Sequence, residues 1–225
     1  RPIGVPSQTA GWLEQPVTTQ PQRVFVDVSD GTHGLMLANR GLPEYEVTRT
    51  NGSVAAAITL LRCVGWLSRG DLRTRHGAAG PMLPTPDAQC PGKHVFEYAI
   101  IPHSGDWRQA AAHAYAFRRP LRAVVVRGGS ANRTLPPEVS FLAISPSQLR
   151  VSAVKFPEDG GGLIVRIYNP DADTTGELYC HWPLRRVQRV RLDEQPVEDL
   201  AVEGNRVQFT CRADQILTFR LELAE

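Results

Sequence analysis

Nowhere in these 225 residues do apolar side chains run on for the ~18 positions a membrane-spanning helix needs, so no transmembrane segment is expected. Nor is there an excess of charge of one sign. The 25 Lys and Arg face 23 Asp and Glu, leaving a formal net charge of +2. Such a balance gives no electrostatic reason to expect nucleic acid or a membrane surface as partner. The four cysteines, Cys63, Cys90, Cys180 and Cys211, are widely spread and form no CxxC pair. A chain this long needs no disulfide framework, and this spacing makes no zinc site; buried or half-buried free thiols are expected. The start, Arg1-Pro-Ile-Gly-Val-Pro6, lacks an initiator Met and the pattern of a signal peptide. It reads as a cut from a longer chain. The sequons at Asn51-Gly-Ser53 and Asn132-Arg-Thr134 would matter only in a secretory compartment, to which nothing else points.

Chemical motifs are equally scarce. The six histidines (33, 76, 94, 103, 113 and 181) show no helical or hairpin ligand spacing. There is no GxSxG, and Cys63 and Cys90 stand in no nucleophile signature. Gly160-Gly-Gly162 sits in a turn signal and does not open a helix, so it is no phosphate cradle. Asp71, Asp87, Glu97 and Asp106 could supply paired carboxylates, but spacing along the chain does not fix their separation. His103-Ser-Gly-Asp106 could set an imidazole beside a carboxylate. The simpler expectation is that His103 meets a turn carbonyl while Asp106 caps a helix.

What is present is an all-β pattern with one helix. Apolar content of 42% and charged content of 21% suit a folded globular chain. Residues 1–22, with Pro2, Pro6, Pro16 and Pro21, are extended or loop-like. Strands are expected at 23–29, 33–38, 44–47, 54–62, 94–102 and 121–126. Asn51-Gly52 is the strongest hairpin signal in the chain. A helix opens at Asp106, carries Trp107, Ala110, Ala111, Ala114 and Phe117 on one stripe, and stops at Pro120. A crossing near 128–138 separates this part from a regular series of strands at 139–144, 149–155, 162–168, 176–182, 186–192, 206–211 and 215–222. That rhythm suggests a small antiparallel sandwich.

The region without a clean period is Leu60 to His103. Structureless loops beyond ~12–15 residues are uncommon in compact domains and are usually functional or disordered. This one carries Trp66, Leu67, Met82 and Leu83 beside Arg62, Arg69, Asp71, Arg73, Arg75 and His76. That mixture suits an ordered interface or site loop. Its arginines could fork onto carboxylate, phosphate or sugar hydroxyls; a solvated, ion-paired surface is the alternative.

Several pieces occur together in order: Phe25-Val-Asp-Val-Ser-Asp30 with Gly34-Leu35; Asn39-Arg-Gly-Leu-Pro-Glu-Tyr-Glu-Val47; Leu60-Leu-Arg-Cys-Val-Gly-Trp-Leu67; Ala79-Gly-Pro81 with Pro84-Thr-Pro86 and Ala88-Gln89; and His94-x-Phe-Glu-Tyr98 with Pro102-His103 and Gly105-Asp-Trp107. This order resembles the C-terminal β region of glycoside hydrolase family 38, the zinc-dependent retaining α-mannosidases. The long loop is most similar to the bacterial, mannosylglycerate-hydrolase-like branch.

The resemblance implies an antiparallel β-sandwich, part of a supersandwich, over 1–127, and a smaller terminal β-sandwich over 139–225. It places the nucleophile and the zinc ligands in an N-terminal catalytic domain, so the parent enzyme would hold Zn²⁺ and this fragment would hold no metal and no catalytic residue. The implied partners are an α-mannoside and that catalytic domain, in the cytoplasm, with homo-oligomerisation left open. Family members use an acidic-Arg-Gly loop at the sugar pocket; the local likeness here is Asp71-Leu-Arg-Thr-Arg75 before Gly77, although Gly70-Asp71 replaces the usual acidic pair. Arg75 and Asp71 are therefore the first candidate pocket contacts, with Arg62, Arg69 and His103 beside them. Trp66, Leu67, Met82 and Leu83 would dock on the absent domain, leaving the loop poorly ordered or unusually exposed in the fragment alone. The alternative is an independent carbohydrate-binding module stacking sugars on Trp66, Trp107 or Trp182.

Overall fold

Alternation along three strands builds the first sheet. In the computed structural model, which describes residues 11–125 and 136–224, Phe25–Ser29 (β2), His33–Asn39 (β3) and Tyr98–Ser104 (β8) pair antiparallel in the order β2-β3-β8. Successive strand side chains point to opposite faces, so Phe25, Met36, Ala38, Ala99 and Ile101 share one face. The helix α1 (Trp107–Arg118) packs there through Trp107, Ala110, Ala114 and Phe117. The small alanines let the helix backbone approach closely, and Met36, Ala38, Ala110 and Ala114 are all fully buried. The expected cap is present: the Asp106 carboxylate accepts the Arg108 N–H at 2.9 Å. At the other end the Arg40 guanidinium donates to the Phe117 carbonyl at 2.7 and 2.9 Å, satisfying a carbonyl the helix leaves open.

Gln20–Pro21 (β1), Glu44–Thr50 (β4) and Ser53–Ile58 (β5) form a second sheet, ordered β1-β4-β5. The β4–β5 hairpin closes at Thr50 opposite Ser53. Asn51 (φ 52°) and Gly52 (φ 80°) both take the left-handed region, as a two-residue turn matched to strand twist requires. Between β5 and β8, the chain forms only a two-stranded ribbon of Asp71–Leu72 (β6) and Arg75–His76 (β7) and a 3₁₀ turn at Pro86–Gln89.

The chain divides into two compact units, Arg1–Val124 and Val125–Glu225. The crossing expected at 128–138 lies mostly outside the described residues. The strand expected at 121–126 is not formed: residues 121–125 have no regular structure, and Leu121, Val124 and Val125 are exposed. Its β-branched composition favoured a strand, but without a pairing partner composition alone does not make one. Residue 126 lies outside the described set.

The second unit is a sandwich. Leu142–Ser145 (β9), Arg150–Lys155 (β10), Leu163–Tyr168 (β11), Thr174–Cys180 (β12), Leu184–Val190 (β13), Pro196–Leu200 (β14), Arg206–Cys211 (β15) and Ile216–Leu223 (β16) form two antiparallel sheets, β10-β11-β16-β13-β14 and β15-β12-β9. Val165, Ile167, Leu178, Val187, Val207, Phe209, Leu217, Phe219 and Leu221 make the core, with the Phe209 and Phe219 rings 4.8 Å apart. The all-β architecture with one helix is as expected. β14 is not: Asp193-Glu-Gln-Pro196 reads as a turn, and one does form there, with Arg191 N–H donating to the Gln195 carbonyl at 2.8 Å. The strand starts at Pro196 itself, which an edge position tolerates. Nearby, Lys155 is held between Glu158 and Glu194, the latter at 2.8 Å. These bonds, Glu158 foremost, hold its ammonium pKa above the ordinary range.

Cys180 and Cys211 are buried and Cys90 is half-buried, but Cys63 is exposed, against expectation. It lies in the irregular excursion, where no second layer covers it. Among the described residues no helix is long and apolar enough to cross a membrane.

Candidate functional site

The excursion between β5 and β8 is folded on itself. Leu67 N–H donates to the Leu83 carbonyl at 2.9 Å, Thr85 N–H to Gly65 at 3.0 Å and Val64 N–H to Ala88 at 3.3 Å. Trp66 and Pro84 form a bridge within this antiparallel pairing. Further out, Gly77 N–H donates to the Gly70 carbonyl at 3.1 Å, closing the β6–β7 ribbon. The Ser68 hydroxyl accepts from Ala79 and Gly80 N–H at 2.9 and 3.1 Å. Backbone groups that two sheets would otherwise satisfy are thus paired locally. The apolar side chains expected to dock elsewhere are solvent-facing: Trp66, Leu67, Met82 and Leu83 are 45–62% exposed.

Trp66, Ser68, Arg69, Gly70, Asp71 and Met82 line an open cleft of about 490 Å³. At its edge the Arg69 guanidinium forks onto Asp71, Nε to Oδ1 at 2.8 Å and an Nη to Oδ2 at 2.5 Å. That fork holds the Asp71 carboxyl below the usual carboxylate range, and both side chains keep more than half their surface in water. A wet, planar donor–acceptor pair beside an indole can exchange its mutual bonds for those of a polyhydroxyl ligand, whose apolar face suits the ring.

The other sequence candidates lie elsewhere. Arg62 donates to Glu44 of β4 at 2.8 Å, where Thr59 also bonds. Arg75 reaches Glu14 at 3.4 Å, with Gln15 N–H donating to the Thr74 carbonyl at 2.7 Å; it ties the ribbon to the segment before β1. Its Nε is buried without a hydrogen-bond partner among the described residues. Neither arginine lines the cleft. His103 sits on β8 with its side chain 6% exposed; its Nε2 is 2.6 Å from Asp27 Oδ1 and its Nδ1 3.1 Å from the Ser104 carbonyl. Burial lowers the imidazole pKa, but the bond to Asp27, the Ser104 carbonyl and the charges of Asp27 and Asp106 outweigh it, and the net shift is upward.

Asp106 is thus the helix cap, as expected, while the carboxylate bonded to His103 is Asp27. The signal was present in the alternation of β2, which puts Asp27 on the same face as Phe25, but strand pairing had to be known to bring β8 alongside. Ser68, which knits the rim of the cleft, carries no sequence signal. Of the proposed platforms, Trp107 is half-buried against Phe25, with ring centroids 6.2 Å apart. Trp182 is stacked on Phe141 at 5.0 Å with both rings over 40% exposed.

Residues 148–219 match the model of the glycosyl hydrolases family 38 C-terminal beta sandwich domain. Over 209 residues, 93% of the chain, the sequence is 29% identical to a protein of Halalkalibacterium halodurans named "Putative mannosylglycerate hydrolase". Two solved structures from Enterococcus faecalis are similar: a protein in the glycosyl hydrolase family 38 (28% identity, TM-score 0.69, 91% of this chain) and an alpha-mannosidase (29% identity, TM-score 0.69, 95% of this chain). In all three cases the chain spans only 22% of the relative's length.

Proposed function

We propose that this chain, which carries a C-terminal β-sandwich domain of glycosyl hydrolases family 38, is the β region of a cytoplasmic, zinc-dependent retaining α-mannosidase and is not catalytic by itself. The observation that supports this most is the similarity to a family 38 structure and an alpha-mannosidase structure over 91–95% of the chain, against 22% of theirs. On this proposal the remaining catalytic domain belongs to the same polypeptide and acts on an α-mannoside. The cleft at Trp66, Arg69 and Asp71 forms one wall of the sugar pocket.

The described residues do not fit a zinc ion: no three His, Cys, Asp or Glu side chains converge. No step of this chain's chemistry therefore runs through the metal, which we assign to the catalytic domain. What these residues supply is contact: Arg69 donates to sugar hydroxyls, Asp71 accepts from them, and Trp66 covers an apolar sugar face. In the retaining reaction such contacts act by strengthening as the sugar distorts toward its oxocarbenium-like transition state.

The purified 225-residue chain, assayed with an aryl α-mannoside, should release no aglycone; steady release would sink the proposal. An independent carbohydrate-binding module is the alternative, favoured by the exposed Phe141–Trp182 stack. Calorimetry with mannosides separates the two. Saturable heat from the chain alone that vanishes in Trp182→Ala or Trp66→Ala would favour the module, and silence favours the β region.

A further inference from the structure

Cys63 and Cys90 stand at the base of the folded excursion, where its outgoing and returning limbs run antiparallel. The neighbouring pairings fix their juxtaposition. Val64 N–H donates to the Ala88 carbonyl at 3.3 Å, and the Cys63 thiol donates to the Gln89 carbonyl at 3.2 Å, one residue before Cys90. The Cys90 thiol turns back toward the Ala88 carbonyl at 3.7 Å, the same carbonyl that accepts the N–H of Val64, the residue after Cys63. Cys90 also ends the 3₁₀ turn in the left-handed region, at φ 46° and ψ 51°. A non-glycine residue there is uncommon and costs conformational energy. The turn thereby presents this cysteine to the opposite limb.

From this geometry we propose that Cys63 and Cys90 are a vicinal dithiol that closes to a disulfide, fastening the base of the excursion that carries the Trp66–Arg69–Asp71 cleft. Cys63 is the exposed partner and Cys90 the half-buried one, which sets the order of events. With a low-molecular-weight disulfide as oxidant, the Cys63 thiolate attacks one of its sulfurs and expels one thiolate, leaving a mixed disulfide on Cys63. The Cys90 thiolate then attacks Cys63 Sγ and expels the second thiolate. The two protons lost by the cysteines end on the two released thiols; the protein is oxidised by two electrons and the reagent reduced by two. Although Cys63 is exposed, partial desolvation of its sulfur and the nearby Cys90 thiol hold its pKa above the ordinary value, so the first attack quickens as pH rises. Cys180 and Cys211 are buried in the second unit, at 0% and 1% exposure, and serve as internal controls.

The test is to incubate the native 225-residue chain with oxidised glutathione, quench with acid, alkylate the remaining thiols after unfolding, and map the peptides by mass. The expected product lacks two hydrogens, has Cys63 and Cys90 peptides that travel as one species until reduced, and has Cys180 and Cys211 alkylated. Cys90→Ser should stop at a glutathione adduct on Cys63. A wild-type product that stays glutathionylated on Cys63 with Cys90 free, or that pairs Cys63 between two chains, would overturn the proposal. The decisive reading comes from the wild-type chain, so a poorly folding variant would not obscure it.

Discussion

His103 Nε2 lies 2.6 Å from Asp27 Oδ1, across the sheet from a residue with no side chain. A Cβ placed on Gly34 would come within 2.2 Å of the His103 ring. Gly34 is the register partner of His103, and Asp27 stands on the strand beyond it. The glycine leaves the space through which imidazole and carboxylate meet.

Gly34→Ala should therefore force the ring off its partner. Overpacking alone costs about 1–3 kcal/mol, and a nearly buried pair separated from its partner adds to that. A fall in the urea midpoint with an unchanged slope is the expected result. A variant as stable as the parent chain would mean that the ring moves aside without loss.

The His103 pair also gives stability a pH dependence of definite sign. Its folded-state pKa lies above the ordinary 6.5, so its stabilising contribution is fully present below that value and is lost as pH rises through the folded-state value. His103→Gln should abolish this part of the decline above the ordinary imidazole pKa of 6.5. Parallel stability–pH curves for variant and parent would show that the pair carries none of it.

Asn169 predicts a different kind of failure. It is fully buried, and its amide donates to the carbonyls of Ala172, Cys211 and Arg212 at 2.8–3.3 Å, while its Oδ1 accepts from Gln148 and Asp171. Asn169→Asp keeps the shape but turns the donating side into a second acceptor facing carbonyls. The second unit should lose about 2–4 kcal/mol at neutral pH, with partial recovery in acid as the carboxyl regains a proton. Thermal unfolding at pH 7 and pH 4 checks both halves.

If the chain is the β region of an α-mannosidase, as proposed, the cleft separates two arginines that look alike in sequence. Arg69→Ala, made in the complete protein, should lower kcat/KM by roughly tenfold or more, since hydrogen bonds to a charged group contribute ~1.5–3 kcal/mol. Arg75→Ala removes a tie to Glu14 and tests whether that side chain also touches the sugar. A kinetic effect of Arg75→Ala equal to that of Arg69→Ala, at unchanged stability, would move the pocket edge to the ribbon. Unaltered kinetics for Arg69→Ala would remove the cleft from the pocket.

The sequence was most legible where local chemistry acts alone. Asn51-Gly52 forms its turn, Asp106 caps its helix and Pro120 ends it, because each needs only neighbours in the chain. It was least legible where partners are distant. The Asp27–His103 bond joins residues on strands that only the sheet brings together. Pro196 opens a strand because it lies at an edge, and Leu121 to Val125 stay irregular without a partner. Within the excursion, composition pointed to an ordered loop. It could not say that Arg69, rather than Arg75 or Arg62, would share a cleft with Trp66, since that depends on which carboxylate each guanidinium finds.

Of the 25 Lys and Arg side chains only Lys93 and Lys155 are primary amines; the rest are arginine. Lys155 is engaged by Glu158 and Glu194 and keeps its proton tightly, whereas Lys93 is exposed just beyond Cys90, where the excursion returns. Amine-directed acylation at mildly alkaline pH thus has one preferred lysine, within a few residues of the base of the cleft-bearing loop. A fluorophore coupled there would report what approaches this region, without any engineered residue.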